Sequence, residues 1–120
     1  MAGNRTGDIG HAVQTYAESF GFSVVRELEG HGIGNEMHEG PGVPNYGRKG
    51  WGTRLTDGMV LCIEPMINAG LRNVYLAKDG GAVRTSDRKR SAHFELTVVV
   101  RKGQPEVLST FDFIENNVKF

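Results

Sequence analysis

There is no second cysteine in this sequence, no surplus of either charge and no long apolar run. Each absence excludes something before any motif is read. The lone Cys62 rules out an internal disulfide, which suits a reducing compartment and makes the cytoplasm the simplest expected location. Fourteen basic and fourteen acidic residues cancel, so no overall field favours nucleic acid or an anionic membrane surface as partner. No apolar stretch reaches the length of a bilayer span, so no membrane is expected. The opening Met1-Ala2-Gly3-Asn4-Arg5 lacks the apolar core of a signal peptide. No internal repeat is visible. A length of 120 residues suits a single domain over 1–120 with a real core.

Glycine is abundant, at 17 residues, and points to many tight turns. It is densest in Gly30-His31-Gly32-Ile33-Gly34, which precedes Met37-His38-Glu39 and then Pro41-Gly42-Val43-Pro44-Asn45-Tyr46. Glycine is a poor former of helix and strand, so His31 is expected in an irregular, glycine-rich connection. Close backbone approach there suits holding an imidazole at a fixed spot. The plainer alternative is a mobile turn with two solvent-facing histidines.

Regular elements are expected on either side. Thr6 is a candidate N-cap, with Asp8 in the first turn. Ile9, Ala12, Val13, Tyr16, Ala17 and Phe20 form an apolar stripe at helical spacing, and Gly21 supplies the stop. Phe22 to Glu27 reads as a strand, and Asn35 to Asp57 as a long ordered connection with at most a short extended piece near Met37. Met59-Val60-Leu61-Cys62-Ile63 is an unbroken apolar run that should be a strand buried on both faces, ended by Glu64 and Pro65. Arg72 to Ala77 and Ala82 to Thr85 flank Lys78-Asp79-Gly80-Gly81 as one hairpin. His93 to Arg101 and Pro105 to Ser109 flank Lys102-Gly103-Gln104 as a second, and Phe111, Phe113 and Ile114 should pin the tail. One main helix against an antiparallel-rich sheet is an α+β arrangement.

Two carboxylates stand out against this background. Glu95 lies in Phe94-Glu95-Leu96-Thr97-Val98-Val99-Val100, where alternation puts His93, Glu95 and Thr97 on one face. Glu64 ends another apolar strand. Ionised carboxylates in such places need a partner, either an arginine (Arg84, Arg88 and Arg90 are available) or a metal. Imidazole plus carboxylate oxygens suits a divalent ion such as Mn, Fe, Co or Zn. Cys62, alone in its apolar run, is read as core.

These residues resemble the type I, bacterial-like methionine aminopeptidases. The matching runs are Glu29-Gly30-His31-Gly32-Ile33-Gly34, Met37-His38-Glu39-Gly40-Pro41, Val43-Pro44-Asn45-Tyr46-Gly47, Ile63-Glu64-Pro65-Met66-Ile67-Asn68-Ala69-Gly70 and Ser91-Ala92-His93-Phe94-Glu95. The resemblance runs from Thr6 to about Glu115. It implies half of a pita-bread fold, the C-terminal catalytic half, with the N-terminal half missing. It further implies metal ligation by His31, Glu64 and Glu95, with Glu95 bridging two divalent ions (Co, Mn, Fe or Zn) in the complete enzyme. Glu64 would also assist the attacking water, and His38 would contact the scissile peptide. The implied substrates are the N-termini of nascent polypeptides, relieved of their initiator methionine.

Two departures accompany the resemblance. The family's two aspartate ligands and part of its methionine pocket belong to the other half, so this chain alone should be inactive and its uncovered face open to self-association. Gly81 stands where the family commonly has tryptophan. Two rival readings are a non-catalytic pita-bread binding module and a proline-specific metallopeptidase of the same fold. The first would be expected to lose ligands, yet all three that belong to this half are present. The second usually reads Glu-Pro-Gly after the strand, whereas Met66 and Asn68 stand here.

Overall fold

The computed structural model describes residues 1–78, 80 and 82–111. It opens with the one helix among them, α1 (Thr6–Ser19), whose start is fixed by a carboxylate. Asp8 accepts the Arg5 backbone N–H at 2.7 Å and the Gly50 N–H at 2.8 Å. The cap is therefore Arg5, in extended backbone, and not Thr6 as the sequence suggested. Thr6 is the first helical residue, and its hydroxyl accepts the Thr53 N–H at 3.0 Å. At the other end Gly21 takes φ +79°, its N–H bonding Glu18 O while Phe22 N–H bonds Ala17 O. That pair of bonds satisfies the last carbonyls and stops the helix where expected.

The face that α1 buries differs from the expected stripe. Thr6, Gly10 and Ala17 are its buried residues, whereas Tyr16 and Phe20 are 71% and 62% exposed and stack edge-on against each other. Small residues win because the helix approaches the 44–48 loop backbone to backbone. A Cβ at Gly10 would run into the Tyr46 carbonyl oxygen.

Ten short strands follow among the described residues: β1 (Ser23–Val24), β2 (Gly30–Gly32), β3 (Glu39–Val43), β4 (Val60–Ile63), β5 (Met66–Asn68), β6 (Val74–Leu76), β7 (Val83–Thr85), β8 (Ser91–His93), β9 (Leu96–Val99) and β10 (Glu106–Val107). They form a five-stranded sheet ordered β10-β9-β4-β2-β3, a three-stranded sheet β1-β5-β8 and the hairpin β6-β7. Every pairing is antiparallel, so the α+β expectation holds. Val43, Leu55, Leu61 and Val100 are the buried centre, with Ile9, Met59, Ile63 and Val98 packed around them.

Several elements differ from the sequence pattern. The strand expected over Phe22 to Glu27 shrinks to Ser23–Val24, since Phe22 is half exposed and pairing with β5 covers only Val24 and Ser23. Within Asn35 to Asp57 lies a real strand, β3, tolerated despite Pro41 because it is at the sheet edge. In β4 only Leu61 and Cys62 are fully buried, with Val60 and Ile63 half-buried. Residues 93–101, expected as one strand, divide between two sheets. Asp79 and Gly81 of the first hairpin turn, and Phe113 and Ile114 of the tail, lie outside the described residues. Phe111 packs edge-on against Phe94, with ring centroids 5.4 Å apart.

Two outcomes follow from α1. Glycine-to-alanine in a helix ordinarily stabilises, but Gly10→Ala should destabilise by about 1–3 kcal/mol in urea titration, because the added methyl meets Tyr46. The two backbone N–H bonds hold the Asp8 carboxyl below the usual carboxylate range. A depressed folded pKa gives stability that is present above the ordinary value, about 3.9, and lost as pH falls through the folded one. Thermal melts should therefore show a steeper acid loss in the wild type than in Asp8→Asn, with the variant less stable at neutral pH.

Candidate metal centre

His31 sits in regular structure, not in the irregular loop that its glycines suggested. β2 lies between β4 and β3, pairing His31 with Cys62 on one side and Gly42 on the other. The glycines serve close packing of backbones: a Cβ at Gly30 would strike the Cys62 carbonyl oxygen. β4 in turn pairs Cys62 with Thr97 of β9. Residues paired directly across antiparallel strands share a face. His31, Cys62 and Thr97 therefore form one row across the sheet.

The two glutamates occupy the next position along that face. β4 and β9 pair Ile63 with Leu96, and β5 and β8 pair Met66 with His93, in one continuous register. Between these pairs the ladder is interrupted, with Glu64-Pro65 on one chain segment and Phe94-Glu95 on the other. That register sets Glu64 opposite Glu95. Like charges directly opposed repel, and Pro65 has no N–H to donate, so regular pairing stops there. Glu95 is thus not the buried central-strand carboxylate that its sequence context indicated. It is exposed, and neighbouring Phe94 is 57% exposed.

No arginine takes up these charges. Among the described residues the ion pairs are His31 with Glu64 and Arg101 with Glu106. The histidine pair is itself informative. His31 Nδ1 lies 2.9 Å from Gly32 O, and since a carbonyl can only accept, Nδ1 carries the proton. In the neutral ring Nε2 then presents a lone pair, 3.5 Å from Glu64 Oε2. A cation between these two atoms, a metal ion or a proton on the ring, satisfies both. Donor atoms of His31, Cys62 and Glu95 also lie within 4.8 Å of one another. Cys62 is buried, and desolvation pushes its thiol up, partly opposed by Thr97 Oγ1 at 3.7 Å.

His38 is close by but differently placed. Its exposed ring stands 4.2 Å, centroid to centroid, from that of His31 and tilted by 51°. The turn that presents it is closed by Glu39, whose carboxylate accepts the Glu36 N–H at 3.3 Å. All four residues singled out in the sequence, His31, His38, Glu64 and Glu95, therefore gather on one open face. Sequence reasoning set Thr97 on the face of Glu95 but missed that Cys62 and His31 stand in the same row. The register that puts them there was the missing signal, since an apolar run by itself reads only as core.

The chain matches a known class. The sequence fits metallopeptidase family M24 over residues 1–102, and the chain belongs to that family. Its relatives are more particular. The methionine aminopeptidase of Clostridium acetobutylicum is 51% identical over 109 residues, 91% of this chain and 44% of that protein. Methionine aminopeptidase 1 of Bacillus subtilis is 49% identical over 107 residues, 89% of this chain and 43% of that protein. Among solved structures, the methionine aminopeptidase of Thermotoga maritima superposes with TM-score 0.86 at 45% identity, over 89% of this chain and 43% of that one. The fold is accordingly half of a pita bread, and the chain spans less than half the length of the relatives it matches. Membership implies a divalent metal, and the donors fit one: an imidazole nitrogen with its lone pair exposed, beside two opposed carboxylates.

A ligand role for His31 and not for His38, which the resemblance implies, is measurable. Calorimetric titration with Mn2+ or Co2+ should show His31→Ala losing more than the roughly 10- to 100-fold typical of an outer-shell change, with His38→Ala within about twofold of wild type. Equal losses would overturn it. Glu95→Gln should also weaken ion binding, yet shift stability without metal by no more than about 0.5 kcal/mol, because the side chain is exposed.

Proposed function

We propose that residues 1–120 form one domain, the C-terminal catalytic half of a cytoplasmic methionine aminopeptidase that removes the initiator methionine from nascent polypeptides. The observation that carries this reading is the opposition of Glu64 to Glu95 beside His31, whose Nε2 lies 3.5 Å from Glu64 Oε2. His31, Glu64 and Glu95 would hold divalent ions (Co, Mn, Fe or Zn), two of them once the other half adds its aspartates. Bound ions of this kind supply Lewis-acid chemistry, acidifying water and polarising a carbonyl. Glu64 takes the proton from the attacking water at a carboxylate oxygen and passes it to the leaving amine. His38, exposed and outside the donor set, steadies the charge that develops on the scissile peptide group. Met37, 71% exposed, and Phe94, 57% exposed, flank His38 and Glu95 and suit a face covered by the N-terminal half or by a second copy.

The 120-residue chain should bind Mn2+ or Co2+ weakly and leave a Met-Gly peptide uncleaved. Adding the separately expressed first half of a related methionine aminopeptidase should restore cleavage, with Glu64→Gln abolishing it. Turnover by the chain alone, lost in Glu64→Gln, would mean that the site is complete without a second half. Preference of the restored enzyme for Xaa-Pro over Met-Gly would move it to the proline-specific peptidases.

A further inference from the structure

We propose that Cys62 is a further metal ligand, its thiolate joining His31 and Glu95 on one ion. The proposal rests on the metallopeptidase reading above and extends it to a donor that the sequence assigned to the core. Cys62 is directly paired with His31 across β2 and β4, so its side chain emerges on the same face one strand away. Its sulfur, an imidazole nitrogen of His31 and a carboxylate oxygen of Glu95 all lie within 4.8 Å of one another. Ligands about 2.0–2.3 Å from a tetrahedral ion stand roughly 3.3–3.8 Å apart, so this set closes onto an ion with side-chain shifts of about an ångström. The residue is 2% exposed, and Thr97 Oγ1, 3.7 Å from the sulfur, can donate to it as an outer partner.

Binding exchanges one bond for another. The Cys62 S–H bond breaks, its proton leaves to solvent and a sulfur–metal bond forms, with no change of oxidation state. A thiolate beside imidazole and carboxylate shifts the preference of the centre from hard oxygen-seeking ions such as Mn2+ toward Co2+ and Zn2+. A core cysteine that merely fills space would do none of this.

Titration of the full 120-residue chain with Co2+ under reducing, oxygen-free conditions reads the proposal directly. A near-ultraviolet thiolate-to-cobalt charge-transfer band should rise with the ligand-field bands and saturate at one ion per chain. Cys62 is the chain's single cysteine, so a band at that stoichiometry in the monomer can arise from no other residue. The band should vanish in both Cys62→Ser and Cys62→Ala while Co2+ still binds, and Cys62→Ser should cut the Zn2+-over-Mn2+ preference at least about tenfold. If either variant fails to fold, the wild-type band and its stoichiometry decide alone. Co2+ binding that His31→Ala abolishes, but that shows no such band in the wild type, would overturn the thiolate and leave the metallopeptidase reading standing. Absence of any His31-dependent Co2+ binding would overturn both.

Discussion

One register governs this molecule. The pairing that aligns Ile63 with Leu96 also aligns Met66 with His93, and the two residues between are forced into opposition. Glu64 and Glu95 therefore face each other whatever their charges prefer. A protein that held two carboxylates this way without a cation would carry a standing repulsion at the junction of its two larger sheets. The interruption of the ladder, the turn from one sheet to the next and the gathering of donors are one event. The rest of the fold serves to hold that junction: β2 brings His31 alongside, and the buried Leu61, Val43, Leu55 and Val100 fix β4 in the middle of its sheet.

Different parts of this arrangement were legible in the sequence to different degrees. The extent of α1 could be read, since a first-turn aspartate and a terminal glycine are local signals. Its buried face could not. Tyr16 and Phe20 satisfy helical spacing but lose to Gly10, whose advantage is a carbonyl far along the chain at Tyr46. The glycines around His31 misled in the same way. They read as irregular backbone, while their actual office is to admit neighbouring strands. Glu64 and Glu95 were recognisable as out of place among apolar residues, though their opposition was not, because register is a property of two segments and propensity a property of one. Cys62 had no signal at all until its partner across the strand was known.

The chain spans less than half the length of the relatives it matches. Relatives that share about half of their aligned residues with this chain are more than twice its matched length. The fold agrees closely with the corresponding part of the Thermotoga maritima structure. Met37 and Phe94 stand exposed next to His38 and Glu95 in the chain, with Phe94 resting edge-on against Phe111.

The placing of β4 between β2 and β9 has a consequence for the order of events in folding. The donors come from three strands or strand ends that are far apart in the chain: β2 must dock on β4 to bring His31 to Cys62 and Glu64, and β9 must dock on its other side to bring Glu95. Contacts of such long sequence separation form late, because the loops that join them must first be closed. Nothing local to His31 assembles early and waits. The full donor set of this face then reports the docking of both neighbours of β4, and a species with only one of them docked offers only part of it.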